Sequence, residues 1–504
     1  SSSEVLPVYR EFERTSTAVL NAYVQPLIAR YLRNLEKRLE KRGYTQGIQI
    51  MQSNGGTLTS KEAQTFPVKT ILSGPAAGVI AATRLAGESG FNHVITYDMG
   101  GTSLDVALVT DGKPYVTGSA ELSFGIPVQM TMIDIQTIGA GGGSIAQLDG
   151  RQMLQIGPES AGAHPGPACY NQGGTLPTVT DANLILGRIN PEKPIGGKDR
   201  NPLDVTRSQS AIREHVATPL GLSVDEAASA VLSVANNRMA GSLRRITIDR
   251  GHDPRDFILF AFGGAGPLFI CSLLRELGAT KGMVPRFPGI TSAWGCVCSD
   301  IQHDFVEMVN RPLDQVDLST IESIFSDQQE QGRQRITDSR LVTETLTTIH
   351  EAEMSFEGQT HVIRTMLPHT TLSHEMIRQR FLDAFHRRYG QIDDTFEGLD
   401  TLLSEIPVRI LTLRTSVIGA RPIKELRSFL SPPDNSLQQS ILGTRDVYHD
   451  QQHYASPIYD RTKIPWEQGI NGPAVIEQLD TTTWLEPGTS AQIDNHGNLL
   501  IEVP

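Results

Sequence analysis

Residues 93–109 read HVITYDMGGTSLDVALV, and they restrict the fold more than any other stretch. Two apolar runs, 93–97 and 104–109, flank a Met99-Gly100-Gly101-Thr102-Ser103 turn, which predicts a β-hairpin. Asp98 closes the first run and Asp105 places a charge in the second. Paired glycines at a strand end let backbone amides approach a ligand closely. Successive amides facing one way form a concave site that suits phosphate. Thr102 and Ser103 add hydroxyl donors, and the two carboxylates can hold a hydrated divalent cation. The same residues also describe an ordinary hairpin tip with a solvated Asp, because a short Gly-rich turn is a weak motif by itself.

Around this hairpin the chain alternates in texture. Residues 9–42 predict a long helix: Val19, Tyr23, Leu27, Tyr31, Leu35 and Leu39 recur every fourth residue, with Phe12, Leu20, Val24, Ile28 and Leu32 beside them, so a broad apolar face is expected to be buried. Pro26 should kink it. A short strand at 48–52 and a small-residue helix at 76–86 follow, the latter suited to close packing. Asp111-Gly112 marks a turn, and 114–119 reads as a third strand completing a meander. Residues 120–200 are rich in Gly and Pro, and such a stretch inside a compact domain is usually functional or disordered. Gly139 to Gly143 reads as an amide nest or a helix start beside phosphate, or else as a flexible linker. His164, Asp134 and Asp181 lie in or beside these loops as candidate metal ligands or bases, although solvated loop residues of these types are common.

A helix is expected over 223–248, with Ser223 and Glu226 as capping box. A strand at 256–262 then runs into Gly263-Gly264-Ala265-Gly266-Pro267 and a helix at 268–277. A glycine turn between strand and helix lets a ligand sit at the carboxyl end of a sheet. Beyond about 305 the pattern becomes mostly β, with alternation at 348–367, a helix capped by Ser373 and followed by Gly390, a strand at 406–416, and regular turns to the end.

At 504 residues the chain calls for two or three domains. No run of about 18 apolar residues predicts a membrane span. The net charge is −12, from 44 basic and 56 acidic residues, with no basic patch beyond the helical stretch at 30–42; this argues against nucleic acid as the main partner. Four cysteines are too few for a disulfide scaffold. Cys296-Val297-Cys298 lacks a second ligand pair nearby, so small packed residues beside Trp294 are expected rather than a metal site. With no signal peptide and a reducing pattern of cysteines, a cytoplasmic protein is expected.

The order of hairpin, insertion, strand and FGGAGP turn resembles the second lobe of the actin, sugar-kinase and heat-shock-ATPase superfamily. Finer motifs carry a closer resemblance: EFERTSTAVLNAYV at 11–24, MQSNGG at 51–56, SGPAAGV at 73–79, DMGGTSLDVALV at 98–109, IGAGGGSIA at 138–146, GPESAGAHPGPACY at 157–170, TVTDANLILGRI at 178–189 and FGGAGP at 262–267. Together they are similar to the hydantoinase A/5-oxoprolinase family, which includes ATP-binding subunits of acetone and acetophenone carboxylases. The resemblance runs from about residue 4 through the GPAVIE segment at 472–477.

The resemblance implies an α/β chain with ribonuclease-H-like lobes of the actin and sugar-kinase type: 1–88 as the end of a first lobe, 89–304 as a second lobe with a Gly/Pro-rich insertion, and 305–504 as a mostly β domain. It implies ATP and Mg²⁺ as cofactors. Gly100, Gly101, Thr102 and Ser103 would take phosphate, Asp98 and Asp105 the metal or water, and Gly263, Gly264, Ala265 and Gly266 the adenosine. Gly141 and Gly142 would lie on the cofactor side, with Asp134 a further catalytic carboxylate. The implied reaction is ATP-dependent hydrolysis of a cyclic amide, with a B-type subunit as partner; ATP-dependent carboxylation of a ketone is the alternative, and an ATP-gated scaffold a third reading. Two departures stand out. The family's earlier Asp-x-Gly-Gly-Thr hairpin is absent from these residues, so it is expected from another chain, a cleaved fragment or sequence beyond them. Phe269 stands where the family often has His.

Overall fold

A computed structural model describes residues 1–122, 125–196, 201–339, 341–369, 371–389, 406–422 and 425–504; Gly390 lies outside them. They form two compact units, one from 1–76, 116–133 and 298–423, the other from 77–115, 134–297 and 424–504. The divisions expected near 88 and 304 follow the chain. The units instead follow strand pairing, which joins distant segments within each.

The second unit is built on one mixed sheet. Val94–Met99 and Leu104–Thr110 pair antiparallel, and Ile135–Ile138 adds to the outer edge of the latter. On the other side Ile258–Phe262 and then Lys281–Val284 join in parallel. The spatial order is therefore third, second, first, fourth, fifth, with only the second strand reversed, which is the ribonuclease-H-like lobe expected from the sequence. Leu499–Glu502, Ser490–Ile493 and Gly469–Asn471 extend the same sheet antiparallel. The central strands are apolar throughout: Ile258–Phe262 is buried at all five positions, as a parallel strand covered on both faces must be. Val224–Ile248 covers one face with Val231, Leu232, Met239, Leu243 and Ile246. Its N-terminus is closed by the reciprocal Ser223–Glu226 capping box.

The expected meander is only partly formed. Lys113–Pro114 makes a two-residue pairing with Leu104–Thr110, because Pro114 has no N–H to continue the ladder. Val116–Leu122 instead pairs with Ile126–Ile133 within the first unit. The stretch 120–200 is also more regular than its composition suggests, holding Ser144–Leu148 paired with Leu154–Ser160 and a helix over Val179–Ile185.

The first unit has a six-stranded sheet in the order Gln49–Met51, Thr57–Thr59, Ile301–Pro312, Val408–Ala420, Thr345–Phe356, Ile363–Leu367. Its apolar core packs Ile321 and Phe325 of the helix Leu318–Asp338, and Ile377 and Phe381 of His374–Tyr389, against Met354, Phe356 and Leu413. The long helix spans Glu11–Glu40 without interruption at Pro26. Its burial meets the expectation only in part: Leu32 is buried and Leu20 and Ile28 pack against apolar clusters, but Val19, Tyr23, Leu27 and Tyr31 are exposed, while Thr17, Asn21 and Ala29 are buried. Polar side chains face inward because they complete neighbouring backbone. Thr17 Oγ1 accepts from the Gln129 amide, and Asn21 bridges the Thr65 carbonyl and Val68 amide. Among the described residues no helix is long and apolar enough to cross a membrane.

The small-residue helix, Ser73–Glu88, is selected by close approach. A Cβ on Gly295 would fall inside the Ala77 carbonyl, and one on Gly78 would lie 2.7 Å from the Phe262 ring. Gly295→Ala should cost about 1–3 kcal/mol through overpacking, read as a lower urea midpoint at unchanged slope.

Candidate active site

The hairpin is held by six register pairs from Val94↔Val109 to Met99↔Leu104, with Asp98 opposite Asp105. At its tip the Gly100 amide donates to the Ser103 carbonyl at 3.1 Å, whereas the amides of Gly101, Thr102 and Ser103 meet no acceptor among the described residues. Gly100 and Gly101 do not have positive φ, and a Cβ on either would meet nothing within 4 Å. Neither backbone strain nor a protein neighbour requires glycine there. What the two glycines preserve is open space above a row of free N–H donors, the arrangement an anion needs.

Two glycine loops hold this tip. The Gly142 and Gly143 amides donate to the Gly100 and Gly101 carbonyls at 3.0 and 2.6 Å, and the Gly141 amide donates to Ser144 Oγ at 2.8 Å. A Cβ on Gly141 would lie 2.6 Å from the Thr102 amide nitrogen. The 139–143 loop is therefore a brace whose amides at 140–143 are already used, not an open nest, and it leads into a strand instead of a helix. Gly142 still reaches the site, carrying Thr180 through its carbonyl, which accepts from the Thr180 amide and hydroxyl at 2.7 and 2.8 Å. On the other side the Ala265 amide donates to the Met99 carbonyl at 3.0 Å, and Tyr97 Oη donates to the Gly266 carbonyl at 2.8 Å. Gly263 is obligatory: its φ is +77°, and a Cβ would collide with Asp98 Oδ1 and lie 2.5 Å from the Met99 carbonyl.

Between these loops lies a cavity of about 880 Å³, within the range of ligand pockets. Gly100, Gly101, Thr102, Gly142, Gly264 and Ala265 line it. Gly141, Gly263 and Gly266 stand behind the wall as supports, and Ser103 closes the turn. Asp98 is half-buried beside Gly263 with no hydrogen-bond or ion-pair partner among the described residues. Burial, and secondarily Asp105, push its carboxyl from 3.8 up to about 6. Burial also raises Asp105, opposed by the Thr137 hydroxyl, which donates to it at 2.6 Å.

Other candidates are placed elsewhere. Asp134 is ion-paired with Arg250 and is not on the cavity wall, so its charge is already neutralised. Asp181 is fully buried and accepts from Ala168 N, Cys169 N, Thr178 N, Thr178 Oγ1 and Ser208 Oγ; it organises the 167–181 loop and has no room for a metal. His164 is on the surface near Gln172. Cys298 is buried and Cys296 exposed. Phe269 is buried and lines the cavity as an apolar wall.

The structure adds Asn183, which lies inside the TVTDANLILGRI stretch, and Asp480, which lies outside the quoted motifs. Asn183 lines the cavity; its Nδ2 donates to the Val179 carbonyl, while its buried Oδ1 has no partner. Asp480 comes from the C-terminal segment and sits beside the glycine turn. It accepts from the Gly289 amide at 2.7 Å, and neighbouring Thr481 donates to the Gly264 carbonyl at 2.9 Å. The only available signal was polar LDTTT following an apolar strand.

Two substitutions separate ligand space from scaffold. Gly101→Ala should leave stability within about 0.5 kcal/mol of wild type, because the added Cβ meets no atom within 4 Å, as measured by denaturant unfolding. Asp98→Asn should stabilise the ligand-free protein. A rise from 3.8 to about 6 corresponds to at most about 3 kcal/mol against the ionised form, reduced by screening to about 1–2 kcal/mol. The folded state retains the Asp98 proton longer than the unfolded chain, so the gain is absent below about pH 4, grows to about pH 6 and is flat above. Urea unfolding at pH 5 and pH 8 checks this.

The hydantoinase/oxoprolinase family model matches residues 14–305, and the model for the hydantoinase/oxoprolinase C-terminal domain matches 313–502. Caprolactamase subunit alpha of Pseudomonas jessenii is 34% identical over 98% of this chain and 70% of its own length. The acetophenone carboxylase gamma subunit of Aromatoleum aromaticum is 32% identical over 99% and 68%. The crystal structure of the ATP-dependent caprolactamase from Pseudomonas jessenii superposes with a TM-score of 0.84 at 32% identity, covering 100% of this chain and 72% of that one. The sheet order, the glycine-braced hairpin and these matches agree: the chain belongs to the hydantoinase/oxoprolinase family.

Proposed function

We propose that the cavity binds ATP and that the chain is the nucleotide-binding subunit of an enzyme that hydrolyses a cyclic amide by phosphorylating the amide oxygen. The observation that carries this reading is the hairpin tip: three free amides, two glycines with empty space above them, and an unpartnered carboxylate pushed up to about 6. Leaving Asp98 without a partner in a half-buried position is costly to the folded protein, and a cation–phosphate ligand offsets that cost.

Phosphoryl transfer asks the protein mainly to position and neutralise. The amides of Gly101, Thr102 and Ser103 would hold the terminal phosphates. Gly264 and Ala265, with Phe269 as apolar wall, would hold the nucleoside. The donor set suits Mg²⁺, which is commonly held by one or two carboxylates together with phosphate and water; among the described residues no group of three or more His, Cys, Asp or Glu gathers at one place. Asp98 would hold that ion, with Asp105 opposite, and the ion supplies charge neutralisation on the phosphates. An unactivated amide resists water because its carbonyl is resonance-stabilised. Transfer of the terminal phosphoryl group of ATP to its oxygen would release ADP and remove that stabilisation; water would then add to the carbon, phosphate would leave, and the C–N bond would break with the nitrogen taking a proton, giving the open-chain product. A B-type partner subunit would complete this hydrolysis, in keeping with a caprolactamase relative named as a subunit.

Carboxylase subunits are relatives at comparable identity, so the decisive measurement compares acceptors. The full-length protein with its partner subunit should release ADP in response to hydantoin, 5-oxoproline or caprolactam, without bicarbonate. ADP release that requires bicarbonate and a ketone and ignores every lactam would transfer the reading to carboxylation.

A further inference from the structure

Among the described residues, Asp480 is the one charged side chain on the wall of the 880 Å³ cavity, and neither the hairpin nor the glycine turn accounts for it. Its half-buried carboxylate is held from behind. Oδ2 accepts from the Gly289 amide at 2.7 Å, and Oδ1 accepts from Gln478 Nε2. Gln478 is fixed in turn, its Oε1 accepting from the buried Arg461 at 2.8 Å. Gly289 leaves the carboxylate its place: a Cβ there would lie 2.7 Å from the Asp480 Cβ and 3.0 Å from Oδ2. Arg461 reaches Asp480 through Gln478, and no cation pairs with the carboxylate directly among the described residues.

A carboxylate oxygen has two acceptor positions, so one remains on each oxygen, side by side on an immobilised group. Negative charge disfavours phosphate at this part of the wall, whereas the free amides of Gly101, Thr102 and Ser103 favour it. What the carboxylate can take is a pair of adjacent donors. The two neighbouring hydroxyls of a ribose supply such a pair. Adenine does not, because its donating amine stands next to an acceptor nitrogen that would face the second oxygen. The wall beside Asp480 is open. Gly264 does not have positive φ, and a Cβ on it would meet only Ile195 at 3.6 Å and the Asp480 carbonyl at 3.7 Å, both ordinary contacts. As at Gly100 and Gly101, no neighbour requires glycine there. The Thr481 hydroxyl, donating to the Gly264 carbonyl at 2.9 Å, ties this open turn to the residue after Asp480.

We propose that Asp480 selects ribonucleotides, its two oxygens accepting from the 2′- and 3′-hydroxyls of the bound nucleotide. A carboxylate serves the same purpose in dinucleotide-binding folds. The inference rests on the nucleotide reading above and adds a direction to it: phosphates at the hairpin tip, ribose at the C-terminal segment.

Calorimetric titration of the full-length protein with its partner subunit, in the presence of Mg²⁺, compares ATP with 2′-deoxy-ATP and 3′-deoxy-ATP. ATP should bind about ten- to a hundredfold more tightly than either, the range for a hydrogen bond to a charged group. Asp480→Asn should weaken ATP far more than the deoxynucleotides, so that the ratio falls towards one. A purely structural role would weaken all three alike, and an unchanged ratio in Asp480→Asn would overturn the proposal. Equal binding of ATP and its deoxy forms by the wild-type protein would overturn it without any variant. So would tighter binding of GTP that 2′-deoxy-GTP shares, which would assign the carboxylate to the base. Each of these results leaves the nucleotide reading intact, whereas an absence of saturable heat with every nucleotide would overturn both.

Discussion

The site depends on the parallel pairing of Ile258–Phe262 with Val94–Met99, in which Phe262 stands beside Asp98. This register brings two chain reversals to the same edge of the sheet. It presses Gly263 against Asp98 so closely that no side chain fits, and it lets the Ala265 amide reach the Met99 carbonyl. Moving the register by one residue would reverse the faces of an all-buried strand and separate the glycine turn from the hairpin. The 139–143 loop fixes the hairpin from the opposite side through the Gly100 and Gly101 carbonyls. The tip is thereby held rigidly by its carbonyls while its amides remain free, and such preorganisation is what makes backbone dipoles effective towards charge.

Glycine consequently has two distinct meanings in this site. At 141, 143 and 263 it admits neighbouring backbone or side chain; at 100 and 101 it leaves space unfilled. All five look alike in the sequence. Only contact geometry separates those that stabilise the fold from those that keep room for a ligand.

The sheet order and the hairpin were legible because strand composition, glycine turns and chain order are local signals. The Ser223 cap and the strand–turn–helix at 258–277 were legible for the same reason. The buried side of the long helix was legible only in part, through Leu20, Ile28 and Leu32. Apolar spacing marked Tyr23 and Leu27 as inward, yet Thr17 and Asn21 face inward because the backbone at Gln129, Thr65 and Val68 needs partners. Asp134 and Asp181 looked equally available as loop carboxylates; Arg250 and five donors engage them from positions that spacing does not reveal. Residues 120–200 looked irregular because glycine and proline obscure strand alternation.

Asp480 shows how far a site can extend beyond its motif. The C-terminal strands Leu499–Glu502 and Ser490–Ile493 continue the sheet from Lys281–Val284. Their attachment belongs to the same core as Ile95 and Leu259, through Leu499, Ile501 and Ile493. Once these strands are fixed, the preceding segment has a determined path, and it carries Asp480 to the Gly289 amide and Thr481 to the Gly264 carbonyl. A carboxylate more than 370 residues along the chain from the hairpin thus lines the cavity together with Gly100, Gly101 and Thr102. The C-terminal segment is therefore part of the site's wall, and removing it would both expose a sheet edge and open the cavity beside the glycine turn.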